Sequence, residues 1–354
     1  MLTAAPIATL TNFRDLIPEA LEQEVRSLDL PAYRGRQVLE WLYPKCADSF
    51  EAMTNLPQEL REELAGRYSI ALPEKKAEQL SQDGTRKFLF GLEDGEAIET
   101  VLIPEPDRLT LCVSTQVGCR FGCAFCLTGA HGFRRNLAPH EIVGQVVAVQ
   151  KLLGPSGPVR QLVLMGMGEP LDNFENIVTA LKILTHRRGL AFPLRRITLS
   201  TVGIAPMIER LGKEVPVNLA VSLNAADDRT RSRLMPVNKK YPIAELLAAC
   251  RRYPMQRRQF LTFEYVLIAG VNDSEADALN LVKLLRPLKA KVNLIRMNSH
   301  FGSELKPPSE AVELRFQAML KQHDLHAFRR QSRGADILAA CGQLKGALTG
   351  KGRI

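Results

Sequence analysis

From residue 110 onward the chain alternates short apolar runs with longer amphipathic stretches. The runs are Thr110 to Ser114, Gln161 to Met165, Arg196 to Ser200, Val217 to Leu223, Leu261 to Ile268 and Val292 to Ile295. Their length suits strands, and the stretches between them suit helices. This six-fold β/α alternation predicts an α/β domain over 110–345, with a parallel sheet and helices outside. Right-handed crossovers would curl six such strands into a partial (β/α)6 barrel or leave an open sheet. Upstream, Arg86 to Leu92 and Ala97 to Ile103 alternate around Glu93-Asp94-Gly95, whose Asp-Gly pair is a hairpin turn signal. A β-hairpin extension is therefore expected over 76–109. Residues 1–75 read as a small N-terminal helical accessory domain, because Tyr33 to Tyr43 and Leu56 to Leu64 place apolar residues at helical spacing. Residues 346–354 form a tail.

Barrel sites lie at the carboxyl ends of the strands. Met165-Gly-Met-Gly168-Glu169-Pro170 follows the second run, Ser200 and Thr201 end the third, Ser222-Leu223-Asn224 ends the fourth, and Asn298 lies beyond the sixth. The glycines let backbone approach a ligand, and Glu169 can accept from an ammonium group. Taken singly, each is an ordinary turn or capping residue. A ring of hydroxyls and amides on one rim suits a ribose, an amino-acid moiety and an adenine edge.

The composition, 354 residues at 45% hydrophobic, supports one large domain plus a smaller one. No run approaches a membrane span, since even Ile142 to Leu153 is broken by Gly144, Gln145, Gln150 and Lys151. Arg14, Glu19, Glu22, Glu24 and Arg26 argue against an apolar signal core, so a cytoplasmic protein with no membrane partner is expected. Lysine and arginine outnumber acids 47 to 38, a formal charge of +9, which favours a polyanionic partner such as nucleic acid. The excess includes five pairs: Arg134-Arg135, Arg187-Arg188, Arg251-Arg252, Arg257-Arg258 and Arg329-Arg330. Any one pair is more often a solvated face; together they favour RNA or DNA.

Cys119, Cys123 and Cys126 pack three thiols into eight residues, just after the first barrel run. Thiolates are the usual ligands of iron-sulfur clusters, and three rather than four leave one iron of a 4Fe-4S cubane open for chemistry. Structural zinc is the alternative, but it usually shows two Cys-x-x-Cys knuckles and this chain has one. Seven cysteines, an odd number, fit a reducing compartment better than a disulfide frame. For Cys46, Cys112, Cys250 and Cys341, buried inert thiols are the default. Small neighbours and Gly342 set Cys341 apart without making it catalytic.

The Cys-x-x-x-Cys-x-aromatic-Cys spacing at Cys119, Cys123, Phe125 and Cys126 resembles the radical S-adenosylmethionine (SAM) superfamily. A closer resemblance, to the RNA adenine-C2 methyltransferase family, runs through Leu111 to Cys119, Gly132 to Leu137, Met165 to Leu171, Ser222 to Ala225, Pro236 to Lys240 and Gly334 to Leu344. It extends to Arg34-Gly35-Arg36-Gln37 and Met53 to Leu56, and so covers nearly the whole chain.

The resemblance implies one 4Fe-4S cluster on Cys119, Cys123 and Cys126, and two SAM molecules per turnover held by Gly168, Glu169, Ser200, Ser222, Leu223, Asn224 and Asn298. It implies that Cys341 carries the methyl group, that a 5′-deoxyadenosyl radical activates it, and that Cys112 releases the RNA by forming a disulfide with Cys341. Glu99 would be the proton acceptor, although its local context otherwise reads as a solvent-facing carboxylate. The implied product is 2-methyladenosine in 23S ribosomal RNA and in tRNA next to the anticodon, with an external one-electron reductant as a further partner. Polar methyl transfer would fail there, because C2 of adenine is an electron-poor carbon between two ring nitrogens. The chain departs from the family at Asn293-Leu-Ile-Arg296-Met-Asn298-Ser299, where Asn298 is kept and the flanking prolines are not. The rival readings are the sister activity at adenine C8 and a non-catalytic iron-sulfur RNA-binding protein.

Overall fold

The computed structural model describes residues 10–155, 157–298 and 304–344, which fall into two units. Ser299 and the expected tail at 346–354 lie outside the described residues.

The first unit gathers residues up to Pro73 with Ala138–Pro158 and Thr179–Phe192. Its helices are α1 (Pro18–Arg26), α2 (Ala32–Leu42), α3 (Gln58–Arg67) and α4 (Pro139–Leu153). Pro18 and Pro139 open α1 and α4 at a position where the missing N–H costs nothing. Glu141 then accepts the Ala138 N–H at 2.8 Å and secures the start of α4. Leu21 and Val25 of α1, four residues apart, bury one stripe, as do Val38, Leu39 and Leu42 of α2. Gly35 allows the two helices to approach, since a Cβ there would stand 3.0 Å from Glu22 Cα. Arg14 is wholly buried and donates to the carbonyls of Ile70, Leu42 and Ala47, so backbone oxygens take the place of a counter-ion.

The second unit, Glu74–Leu137, Val159–Val178 and the described residues from Pro193 on, is built on a ten-stranded sheet. The strands are β1 (Glu74–Leu80), β2 (Arg86–Gly91), β3 (Ala97–Glu105), β4 (Arg108–Cys112), β5 (Val159–Leu164), β6 (Ile197–Thr201), β7 (Asn218–Ser222), β8 (Leu261–Leu267), β9 (Ala290–Arg296) and β10 (His326–Arg330). Each pairs with its neighbours in sequence, so the spatial order follows the chain from β1 to β10. Strands β1 to β4 are antiparallel, and β4 to β10 are parallel. The parallel strands alternate with helices, and β1 does not pair with β10, so the barrel is partial.

The hairpin turn falls where the Asp-Gly pair predicts it, with Gly95 at φ +85°. The six apolar runs become β4 to β9. Two strands escape the sequence pattern: β1 reads Glu-Lys-Lys-Ala-Glu-Gln-Leu and β10 reads His-Ala-Phe-Arg-Arg, and neither alternates apolar with polar residues. Both are edge strands with one partner each, and their charges blunt the open edges.

Alternation along the strands separates the two sheet faces. On one face Leu164, Leu199, Val221, Phe263, Val292 and Ala327 form an apolar, buried row. The other face carries Lys87, Val101, Cys112 and Val163 in register, then Ser200 opposite Ala220, and Ser222, Glu264, Asn293 and Phe328 in register. This more polar face lines the interior, and its C-terminal ends open into the site.

Candidate active site

The cysteine loop leaves β4 through a short antiparallel ribbon, Gln116–Gly118 with Phe133–Asn136. Gly118 sits at φ +76°, and a Cβ there would come within 1.9 Å of the Gly132 carbonyl oxygen, so only glycine closes the loop this tightly. That carbonyl accepts the Cys119 N–H at 2.9 Å, and the Cys123 carbonyl accepts the Cys126 N–H at 3.0 Å. All three cysteines line one cavity, whose empty space, open solvent included, is about 1020 Å³. Burial pushes the Cys119 thiol up to about 12, and burial reinforced by Cys126 and Cys119 raises Cys123 further. A metal centre must therefore displace these protons as it binds. Among the described residues no three Cys, His, Asp or Glu side chains stand close enough to share one metal ion. Cluster thiolates need not, because each binds a different iron. Three thiols on one loop that line the same cavity, with Phe125, Val266, Met235 and Met297 also lining it, fit such a group.

The loop after β5 supplies Gly166, Gly168 and Glu169 to the same cavity. Glu169 is 2% exposed. Its Oε1 accepts from Thr201 Oγ1 at 2.7 Å and from the Leu171 N–H at 3.0 Å, and its Oε2 accepts the Val202 N–H at 2.7 Å. Burial still dominates and pushes its carboxyl up to about 7. The Glu169 N–H donates to Gln116 Oε1 at 2.8 Å, and Gln116 Nε2 donates to Asn136 Oδ1 and Asp172 Oδ2, each at 2.8 Å. Gly168, at φ +97°, fits against this hub because it has no Cβ; one would lie 2.5 Å from Gln116 Cβ.

Ser200, Ser222, Asn224 and Asn298 line the cavity as well. Asn224 takes a left-handed φ of +57°, and its Oδ1 accepts the Val266 N–H at 2.8 Å. Leu223 is not among the lining residues: its side chain is buried, its N–H donates to the Glu264 carbonyl at 3.0 Å, and its carbonyl accepts from Arg231 Nε at 3.1 Å. Asn298 is turned toward the C-terminal segment, with Nδ2 donating to the Cys341 carbonyl at 3.1 Å and Oδ1 accepting from Ser332 Oγ at 2.6 Å.

Cys341 is brought to the cysteine loop by backbone. The Leu127 N–H donates to the Gly342 carbonyl at 2.7 Å, and Thr128 Oγ1 donates to the Leu344 carbonyl at 2.7 Å. Cys341 is exposed and lines the cavity, whose walls still desolvate its thiol. Burial, then the charge of Glu264, pushes its thiol up to about 11. Cys112 is buried on the inner sheet face, and its thiol is raised by burial and then by Cys341. All seven cysteines are free, and Cys46 and Cys250 are buried. Glu99 is 3% exposed, so it is not the solvent-facing carboxylate its local context suggests; Lys87 Nζ stands 3.0 Å from its Oε1. Neither Glu99 nor Cys112 is among the cavity-lining residues. Sequence reasoning missed Glu264, a buried cavity acid with Asn293 Nδ2 at 2.9 Å and its carboxyl raised by burial. The signal was an acid in the middle of the apolar run Leu-Thr-Phe-Glu-Tyr-Val-Leu.

The arginine pairs divide. Arg135, Arg188, Arg252 and Arg329 are held by Asp94, Glu22, Glu209 and Glu310. Among the described residues Arg134, Arg187, Arg251, Arg257, Arg258 and Arg330 form no ion pair, so these remain open to an anionic partner. No helix among the described residues is long and apolar enough to cross a membrane.

Comparison with known proteins agrees with this geometry. The pattern of the Radical SAM superfamily matches residues 113–282, and that of the Ribosomal RNA large subunit methyltransferase N-terminal domain matches residues 11–70. The chain is 52% identical over 336 residues to the dual-specificity RNA methyltransferase RlmN of Syntrophus aciditrophicus (strain SB), covering 95% of this chain and 96% of that protein. It is 50% identical to the protein of that name from Geobacter sulfurreducens, over 96% and 93% of the two chains. The crystal structure of a radical SAM methyltransferase from Sphaerobacter thermophilus superposes with a TM-score of 0.91 at 45% identity, over 95% of this chain and all of that one.

Proposed function

The chain belongs to the RlmN family of radical SAM RNA methyltransferases, and on that premise we propose that it makes 2-methyladenosine in 23S ribosomal RNA and in tRNA next to the anticodon. One observation carries the assignment of residues: Cys119, Cys123, Cys126, Glu169, Ser200, Ser222, Asn224, Asn298 and Cys341 line a single cavity. Its cofactors are a 4Fe-4S cluster and SAM.

Cys119, Cys123 and Cys126 would hold the cluster, which when bound supplies the electron that cleaves SAM. Glu169 is placed to receive an ammonium group, because a buried carboxylate gains most from a cation that shares its enclosure. Gly168 opens the wall beside it, while Ser200, Ser222 and Asn224 offer hydroxyl and amide groups to ribose and adenine. Cys341 is the methyl carrier, since it lines the cavity on a segment fastened to the cysteine loop. Cys112 is the resolving thiol, electrostatically coupled to Cys341 yet kept buried and neutral. Glu99 takes the proton from the modified adenine. An external one-electron reductant completes the reaction, which belongs in the cytoplasm with its RNA substrates.

The test is anaerobic reaction of the cluster-loaded protein with SAM, reductant and a 23S ribosomal RNA fragment or tRNA, followed by nucleoside mass spectrometry. The expected product is 2-methyladenosine. An 8-methyladenosine peak would move the chain to the sister activity, and RNA retention with no methylated base would leave only a binding role.

A further inference from the structure

Lys87 lies on β2 with its side chain 9% exposed, and the side chain of Glu99 on β3 is 4% exposed. A lysine this buried is uncommon unless it is paired, and its desolvation is repaid only in good geometry. Two contacts account for it. Its Nζ stands 3.0 Å from Glu99 Oε1 and donates to the Leu338 carbonyl at 3.3 Å. Leu338 is three residues before Cys341 and takes a left-handed φ of +54°, a conformation a leucine holds only when its surroundings impose it.

The same stretch is fastened nearby. Ser81 Oγ donates to Asp336 Oδ1 at 2.6 Å, the Gln82 N–H to Asp336 Oδ2 at 3.1 Å, and the Gly334 N–H to Asp83 Oδ2 at 3.0 Å. The turn between β1 and β2 thus grips residues 334–336, and Lys87 grips 338. The register also aligns Lys87 with Val101 and Val101 with Cys112, so lysine, glutamate and thiol share one sheet face. Gln79, opposite Lys87 on β1, adds no charge to that face.

We infer that Lys87 is a positioning residue of the methyl transfer: its ammonium balances and aims the Glu99 carboxylate and, through the Leu338 carbonyl, ties that base to the segment bearing Cys341. This rests on the reading of Glu99 as proton acceptor. In that step the proton passes from adenine C2 to the Glu99 carboxylate, and the bonding pair stays in the ring. Lys87 touches neither substrate nor reacting atoms; it fixes the distance between the base and the methyl carrier.

The test compares Lys87→Met, Lys87→Arg, Glu99→Gln and the double variant Lys87→Met/Glu99→Gln in the cluster-loaded enzyme. Lys87→Met is expected to lower kcat for methylation about tenfold or more with KM for RNA unchanged, to leave SAM cleavage running, and to accumulate protein–RNA adduct on denaturing gels. Lys87→Arg should recover most of the rate. In the Glu99→Gln background, Lys87→Met should cost less than about twofold further, because its target is already gone. A full additional loss there, or a parallel fall in SAM cleavage and methylation, would reduce Lys87 to a fold-stabilising residue and overturn the inference. Should Lys87→Met alone not fold, the double variant, which leaves no lone buried charge, decides by the same comparison with Glu99→Gln. Wild-type methylation by Glu99→Gln would instead remove the proton-acceptor reading itself.

Discussion

Gly168→Ala separates two costs that are usually confounded. At φ +97° an alanine carries a backbone penalty of about 1–2 kcal/mol for the wrong handedness. Its Cβ would also stand 2.5 Å from Gln116 Cβ and 2.8 Å from the Gln116 N, and part of that obstruction is main chain that cannot swing aside. Overpacking of this kind costs about 1–3 kcal/mol more. Gly95 supplies the control, since its φ is +85° and a Cβ there meets nothing within 4 Å. Equilibrium urea unfolding of the two variants should give a loss of about 1–2 kcal/mol for Gly95→Ala and about 2–5 kcal/mol for Gly168→Ala, with equal m-values. The extra loss should appear in ligand binding too, because displacing Gln116 removes the 2.8 Å acceptor of the Glu169 N–H. Equal destabilisation by the two variants would refute the argument that Gly168 is required by close approach rather than by its dihedral angle.

Glu169, with its carboxyl at about 7, is the second point of attack. Raised above its ordinary value, it gives up its proton only as pH climbs through about 7, and it must do so to pair with an ammonium. Its ionised fraction falls from about three quarters at pH 7.5 to about one tenth at pH 6, so SAM affinity measured by equilibrium binding should drop about eightfold. Glu169→Gln should bind weakly without that slope, and a flat wild-type profile would exclude the pairing. Cys112→Ala should leave protein covalently joined to RNA for want of a resolving thiol, and free turnover of that variant would defeat the role. RNA affinity should fall with added salt at a log–log slope of about −0.7 to −0.9 per phosphate contact. Replacing Arg134, Arg251 and Arg330 together should flatten that slope, and an unchanged slope would place the contacts elsewhere.

The six central strands were legible, because short apolar runs separated by amphipathic stretches are what a parallel sheet flanked by helices leaves in a sequence. Strands β1 and β10 were not, since an edge strand with one partner needs no such pattern. The cysteine loop could be read from spacing alone, whereas Cys341 depended on contacts across more than two hundred residues, for which composition gives no sign. Glu99 looked exposed because one hairpin strand does not reveal that Lys87, on the adjacent strand, will cover it. Leu223 matched a motif, but its side chain is buried and does not line the cavity, just past the end of β7 at Ser222.

The order of the sheet bears on how the enzyme comes into being. Each strand finds its partner in the strand just made, so the wall of the cavity can grow as the chain emerges. The segment bearing Cys341 arrives differently, through ties such as Thr128 to Leu344 that span 216 positions. Each doubling of such a span adds about 0.6 kcal/mol of closure cost, so this segment should dock last and lift first. Cys119, Cys123 and Cys126, the residues proposed to hold the cluster, therefore stand more than two hundred positions ahead of Cys341 in the order of synthesis, and the wall that carries them needs nothing from that last segment to pair its strands.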